Sequence, residues 1–389
     1  MGQGQFKLKL LQVCAYYPPR IGGVGEMVRQ LHRNYLACGI HSWVLTSKVG
    51  AHDPQIIELG STPLSFVLGI MSMTRRTAGF DVVHCHAGET VLLPLLMKIL
   101  GIKTPIIATL HIHPPTYRKA CRPYRIGNIQ IKMAFIPNLK LHLMTAMQSM
   151  GQRLMRWLAD ETVYVCHATA RQSLGYGLQK NSVVHNGTTL PVPKDTLSSP
   201  SDILFVGSDN FCKRPAVCLY VLAKILMSRP ETTLRFVGVS QHPELKRLIT
   251  LWQLEDRVSF EGNIAPEDVH GLYQSTKILL MPSSYEGHPM ALLEAGLHGV
   301  TTVASEVGGI PEILEDGLTG FVVPPNDIEK MTACCVRLLE DPALRHTMGK
   351  AARTRIEENF LITHTAAAYK DIYGQLSGRV LAEKEDCDH

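Results

Sequence analysis

Glu286 and Glu294 carry the clearest chemistry in the chain, with seven residues between them in Met281-Pro-Ser-Ser-Tyr-Glu286-Gly-His-Pro-Met-Ala-Leu-Leu-Glu294. Ionised carboxylates accept hydrogen bonds from neutral hydroxyls. Between the two, Gly287-His288-Pro289 reads as a turn into a helix, and Pro289 suits the first helical position because its missing N–H has no partner there. A helix start offers the amides of Met290, Ala291 and Leu292 together with the positive end of the macrodipole, which suits phosphate. Hydroxyls on both sides of a phosphate describe a nucleotide-sugar, with ribose at one end and hexose at the other. An exposed loop Glu and a solvated helix Glu are the plain alternative.

Three further groupings follow strand-like runs. After the first comes Tyr16-Tyr-Pro-Pro-Arg20-Ile-Gly22-Gly23-Val-Gly25-Glu26, where glycines at a strand-to-helix turn let backbone amides approach an anion; many α/β turns contain glycine without that role. His84-Cys-His86 and His111-Ile-His113 place residues two apart on one face of a strand, so each pair could hold a metal, whereas hydrogen-bonded side chains at strand ends are the simpler reading. His111 stands apart because it lies where a parallel strand would open into a cleft. Finally, Ile203-Leu-Phe-Val-Gly207-Ser208 leads to the adjacent cations Lys213 and Arg214, which could neutralise a departing pyrophosphate or simply be surface charges.

These residues need a scaffold, and the chain supplies an α/β one. With 389 residues it is long enough for two domains, and 45% apolar with 19% charged residues describes a folded rather than a disordered protein. Strand runs near 8–14, 41–46, 81–85, 105–109, 162–166 and 182–185 alternate with amphipathic stretches such as 26–38. A second series lies near 203–207, 233–238, 257–260, 277–281, 301–304 and 320–323. Two doubly wound, Rossmann-like domains are therefore expected, 1–190 and 200–360, with ligands at the carboxyl ends of their strands. The Pro-, Ser- and Thr-rich stretch 186–201 is the expected boundary. A final helix near 361–376 within 361–389 is expected to fold back on the first domain.

Residues 113–157 break the alternation. Tyr117-Arg-Lys-Ala-Cys-Arg-Pro-Tyr-Arg125 is basic and aromatic, and a Met-rich apolar stretch follows, so this helical insertion in the first domain is a candidate for acceptor or peripheral membrane contact through 117–145, with a plain helical elaboration as the simpler reading. The formal charge of +5 is too mild to argue for nucleic acid. Ten scattered cysteines without a C-x-x-C suggest neither a zinc ribbon nor a disulfide framework. With no signal-peptide pattern and no uninterrupted apolar span, the expected location is cytoplasmic, or peripheral at the inner face of a membrane.

Read in order, the motifs resemble the retaining nucleotide-sugar glycosyltransferases of family four, with the two-domain GT-B fold. The resemblance rests on Gly22-Gly23, Thr109-Leu-His111, Val184-His-Asn-Gly187, Phe205-Val-Gly207 to Lys213, and Glu286-Gly-His-Pro-Met-Ala-Leu-Leu-Glu294-Ala. It continues in Gly308-Gly-Ile-Pro-Glu312-Ile with Asp316-Gly-Leu-Thr-Gly320-Phe-Val-Val-Pro-Pro325. It implies that Glu286 binds donor-sugar hydroxyls and Glu294 the ribose, and that Gly287, His288, Pro289, Met290 and Ala291 surround the sugar and diphosphate. It further implies that His111 contacts the donor sugar from the facing domain, that Gly22 and Gly23 cap the phosphates or shape the acceptor site, and that Lys213 stabilises the leaving diphosphate. Gly207, Ser208 and Arg214 complete the implied donor site. Ser208 departs from the family, which usually has an Arg five residues before the Lys; Arg214 or an acceptor group is expected to supply that charge.

The implied reaction is front-face transfer of a hexose from a UDP-sugar, or second a GDP-mannose, to a hydroxyl of a saccharide, lipid-linked or small-molecule acceptor. The setting is cell-surface glycan synthesis or, alternatively, a natural product. No carboxylate is evidently placed as a nucleophile, and no metal or other cofactor is required where a helix dipole and a lysine carry the charge. Three readings compete: a nucleotide-sugar epimerase, a metal-dependent hydrolase on the two His-x-His pairs, and a non-catalytic binding subunit.

Overall fold

In the computed structural model the described residues are 8–18, 22–47, 50, 53–60, 62–86, 90–131, 138–174, 182–190, 200–208 and 211–379. Most of the Pro- and Ser-rich stretch, 191–199, and the tail 380–389 lie outside them. The chain divides into two compact units. Residues 1–113, 146–189 and 361–389 form the first, and residues 114–145 and 190–360 the second.

In the first unit, β1 (Lys9–Cys14), α1 (Gly23–Ala37), β2 (His41–Thr46), β3 (Ile56–Glu58), α2 (Pro63–Thr74), β4 (Val82–His86), α3 (Leu92–Ile99) and β5 (Ile106–Leu110) follow one another along the chain. The chain then passes through the second unit as α4 (Pro114–Ala120), β6 (Tyr124–Ile126) and β7 (Ile129–Ile131). It returns along α5 (Asn138–Leu158) to β8 (Glu161–Tyr164), α6 (His167–Leu174) and β9 (Ser182–Val183). The seven-stranded sheet runs β3-β2-β1-β4-β5-β8-β9, all parallel. Strands buried on both faces read as continuous apolar runs, as in Leu10-Leu11-Gln12-Val13-Cys14. Side chains from α2, α3 and α5, including Ile70, Met97 and Met155, share one buried cluster with Val13, Val83 and Ala108, so these helices layer one face of the sheet.

The second unit contains β10 (Ser201–Val206), α7 (Pro215–Leu226), β11 (Leu234–Val237), α8 (Pro243–Leu251), β12 (Val258–Phe260), α9 (Pro266–Gln274), β13 (Thr276–Met281) and α10 (Met290–Leu297). It continues with β14 (Thr301–Ser305), α11 (Ile310–Ile313), β15 (Gly320–Val323), α12 (Ile328–Glu340) and α13 (Pro342–Asn359). Its six strands run β12-β11-β10-β13-β14-β15, also parallel. In each sheet the chain reverses direction beside the first strand, so a switch point falls between β1 and β4 and another between β10 and β13, the position where open α/β sheets bind ligands. The last helix, α14 (Ile362–Ser377), belongs to the first unit: its Tyr373 ring stands edge-on to Tyr35 of α1 at 5.9 Å, and Leu361 pairs with Thr188.

The stretch expected as a helical insertion in the first domain is different. Residues 114–145 group with the second unit, and β6 and β7 form an antiparallel hairpin there. Ile126 and Ile131 are buried in the same cluster as Phe205, Val217 and Leu222, because a two-stranded hairpin has too little core to stand alone. The segment is therefore anchored to the second unit's core through Ile126 and Ile131, while its cations Lys119, Arg122 and Arg125 are exposed; 132–137 lie outside the described residues.

Candidate functional site

The site of the second unit is built where three neighbouring parallel strands, β10, β13 and β14, release their loops. After β13 the chain turns through Pro282 to Pro289 into α10. Glu286 is only 5% exposed, and a buried carboxylate needs both a countercharge and donors. It has both. Lys213, from the loop after β10, gives its ammonium to both Glu286 oxygens at 2.7 Å, and the Ser283 hydroxyl donates to Oε1 at 2.6 Å. Burial is the largest influence on the Lys213 ammonium and works against it, but the Glu286 charge, Cys212 and the hydrogen bonds to Glu286 together outweigh it and hold the lysine pKa above its ordinary value.

The loops are cross-braced at backbone level. The Ser284 amide donates to the Cys212 carbonyl at 2.7 Å and the Gly309 amide to the Gly287 carbonyl at 2.8 Å. Gly308 has a φ of +55°, and any Cβ there would fall on the Glu286 carbonyl oxygen, so only glycine lets the loop after β14 support Glu286. The hairpin segment joins in: the Ser284 hydroxyl donates to the Ala120 carbonyl at 3.0 Å, and Tyr117 stands edge-on to Tyr285 at 5.9 Å.

Pro289 is not the first helical residue. It precedes α10 in an extended conformation, φ −75° and ψ 122°, as the cap. The Leu292 amide is taken up by the Pro289 carbonyl at 3.2 Å, so of the three expected amides Met290 and Ala291 are the ones whose place in the first turn leaves no intrahelical acceptor. One turn on, Glu294 accepts from the Tyr273 hydroxyl at 3.1 Å; burial and then the Glu294 charge push that phenol pKa well up. Buried His288 lies against Phe360, ring centres 5.4 Å apart.

At the end of β10, the Gly207 amide donates to Val237, and Ser208 is exposed. Gly238, with φ +76°, brings its Cα so close to the Gly207 carbonyl that a Cβ would meet the oxygen at 2.6 Å. Gly238 stands alone after β11, outside any recognisable motif of the sequence. Arg214 is not brought to Glu286. It caps α7 in the left-handed region at φ 54°, lays its guanidinium over the Tyr124 ring at 4.8 Å, and hydrogen-bonds Asn326, itself left-handed at φ 71°. The charge expected from Arg214 in place of the missing Arg is thus committed elsewhere.

In the first unit Gly22 and Gly23 do sit at the start of α1. Gly22 is extended, and a Cβ on it would meet nothing, whereas one on Gly25 would strike the Tyr16 carbonyl. The steric demand for glycine therefore lies at Gly25. Glu26, buried, is held by Arg29 at 2.7 and 2.8 Å and by Gln30 at 2.9 Å. The His-x-His metal reading fails at His84, whose two ring nitrogens are each engaged at 2.7 Å, by the hydroxyls of Tyr373 and Thr109. His86 and His111 are buried alongside, ring centres 5.8 Å apart. Burial lowers all three pKa values, to about 3 for His84 and about 4 for His111, so they are neutral imidazoles.

Residues 193–355 match the family model described as Glycosyl transferases group 1, and residues 21–190 the one described as Glycosyltransferase Family 4. The chain is 31% identical over 314 residues to the alpha-D-kanosaminyltransferase of Streptomyces kanamyceticus, across 74% of this chain and 75% of that one. Its fold is similar to that of sucrose-phosphate synthase from Thermosynechococcus elongatus, with a TM-score of 0.78 and 21% identity over 96% of this chain and 100% of the other. It is also similar to Anabaena HepE in complex with UDP-glucose, with a TM-score of 0.74 and 17% identity over 94% and 99%. Two parallel sheets with flanking helices, both family matches and the kanosaminyltransferase identity lead to one assignment: the chain belongs to the group 1 glycosyltransferases and has their α/β GT-B fold.

Proposed function

We propose that this glycosyltransferase moves a hexose from a nucleoside-diphosphate sugar to an acceptor hydroxyl with retention of anomeric configuration, UDP-sugars ranking before GDP-mannose as donors. The observation that carries the reading is the buried Glu286 carboxylate held by Lys213 beside the start of α10. A diphosphate at the Met290 and Ala291 amides would draw Lys213 from Glu286, because a double negative charge competes well for one ammonium. Glu286, released, accepts hydrogen bonds from sugar hydroxyls, and Glu294 from the ribose. His111 meets the donor sugar as a neutral imidazole. Gly287, His288 and Pro289 shape the turn around the sugar, while Gly207 and Ser208 lie beside the diphosphate.

In the reaction the anomeric C1–O bond to the diphosphate breaks and a bond from the acceptor oxygen to C1 forms on the same face. The hydroxyl proton passes to the leaving phosphate oxygen, and the products are a glycoside and a nucleoside diphosphate. Lys213 and the α10 amides stabilise the charge on the leaving group, a role metals fill elsewhere, so transfer is proposed to be metal-independent. The UDP-glucose complex of the HepE neighbour supports the donor class. A saccharide or lipid-linked acceptor in cell-surface glycan synthesis is the first acceptor reading. The kanosaminyltransferase relative favours a second, a small-molecule natural product.

The test is to incubate the full chain with UDP-glucose, UDP-N-acetylglucosamine or GDP-mannose and a panel of saccharide acceptors. Released nucleoside diphosphate is measured, and the new anomeric centre is read by NMR. Release coupled to an α-glycoside from an α-linked donor is expected. An inverted anomer, or epimerised donor without transfer, contradicts the proposal.

A further inference from the structure

The outer side of the α2, α3 and α5 layer is unlike the rest of the molecule. On α2, Leu64 is 69% exposed, and Leu68 and Met71 are exposed with it; at the end of α3 Ile99 is 68% exposed; on the first-unit half of α5, Met150 and Trp157 stand out, the latter 79% exposed. The inner sides of the same helices share one buried cluster, so this is the face the fold leaves in water. Large apolar side chains grouped this way mark a surface that meets something.

Charge says what it meets. Residues 62–80, 90–105 and 146–158 contain none of the chain's 34 Asp and Glu residues but six cations: Arg75, Arg76, Lys98, Lys103, Arg153 and Arg156. Of the carboxylates that flank these ranges in sequence, Asp160 is paired with Lys98 at 3.2 Å and Asp81 with Arg379 at 2.7 Å. Arg156 is turned to the Ser173 carbonyl, while Arg75, Arg76, Lys103 and Arg153 are exposed. Elsewhere in the first unit, α1 mixes Glu26 with Arg29 and α14 mixes Lys370 with Asp371. A second copy of this face would set cations against cations, which opposes a symmetric dimer. Exposed apolar side chains beside acid-free cationic turns are what an anionic bilayer surface accepts: the hydrocarbon enters the headgroup boundary and the cations stay among the phosphates.

We propose that this α2–α3–α5 face of the first unit docks the enzyme on anionic phospholipid. No described helix is long and apolar enough to cross a membrane, so the contact is peripheral. It lies apart from the stretch expected from sequence, 117–145, which groups with the second unit, and it stands independently of the donor reading.

The test is cosedimentation of the full chain with vesicles of phosphatidylcholine plus phosphatidylglycerol, against phosphatidylcholine alone. Binding is expected only with phosphatidylglycerol. The double variants Leu68→Glu/Met71→Glu and Arg75→Glu/Arg76→Glu should each weaken it by about tenfold or more, with melting temperature and turnover on a soluble acceptor unchanged. Equal binding to both vesicles, no binding to either, or variants that bind like the parent overturn the proposal. So does a dimer in sedimentation velocity that Leu68→Glu/Met71→Glu converts to monomer, since a second copy would then be the occupant.

Discussion

At the carboxyl end of the second unit's sheet a carboxylate is buried with its countercharge, whereas at the same end of the first unit's sheet three imidazoles are buried with none. Glu286 and Lys213 are each other's countercharge, 2.7 Å apart, which offsets the cost of burying either one alone. His84, His86 and His111 stay neutral because nothing nearby rewards a charge. The first arrangement can exchange partners when an anion arrives. The second offers fixed, uncharged polar groups, and neither ring nitrogen of His86 has a hydrogen-bond partner among the described residues.

The contrast can be broken most severely at Glu286. Glu286→Gln keeps the size but removes the charge that Lys213 and the proposed sugar hydroxyls need, and turnover should fall by about 10²- to 10³-fold in steady-state assays. Unchanged turnover would remove Glu286 from the site. Next comes its backbone support. Gly308→Ala forces a Cβ onto the Glu286 carbonyl in a left-handed residue and should cost about 2–3 kcal/mol by denaturant unfolding, while Gly22→Ala, with open space and an extended φ, should change stability by less than about 0.5 kcal/mol.

Acid sharpens the imidazole side. The folded-state pKa values lie below the free value of about 6.5, so the neutral forms contribute stability that is complete above that pH and is lost as pH falls toward about 4. Each such imidazole should steepen the loss by about 1.4 kcal/mol per pH unit, and His86→Leu should make the slope of unfolding free energy against pH shallower by one proton. A slope identical to the parent's would mean that His86 already titrates normally. The smallest effect is expected at Tyr273→Phe, which removes one hydrogen bond to Glu294 and should raise the donor KM about fivefold with kcat nearly unchanged.

Much of this was legible in the chain because parallel strands buried on both faces write themselves as apolar runs: β2 at 41–46 and β15 at 320–323 coincide with the expected segments. The placement of Glu286 in a loop and Glu294 in the helix that follows it was legible too, to within the one residue by which Pro289 precedes α10, since turn and helix-start chemistry is local. What failed was what depends on distant partners. Lys213 and Glu286 are 73 residues apart, and no spacing rule joins them. The β6–β7 hairpin lies between two strands of the first sheet, yet its buried Ile126 and Ile131 belong to the second unit's core; sequence order suggested the wrong neighbour. Three-residue β3 is too short for its pattern to rise above a turn. Arg214 read as a free cation because nothing local foretold the Tyr124 ring beneath it.

The central claim is that Lys213 exchanges Glu286 for the donor's diphosphate. Isothermal titration of UDP, with GDP alongside, into the parent, Lys213→Ala and Glu286→Gln tests it directly. Lys213→Ala should weaken nucleoside-diphosphate binding by about tenfold or more, whereas Glu286→Gln, which frees the ammonium, should bind it at least as tightly as the parent despite its lost turnover. If Glu286→Gln loses affinity to the same extent as Lys213→Ala, the pair acts as a fixed structural bridge and the exchange does not occur.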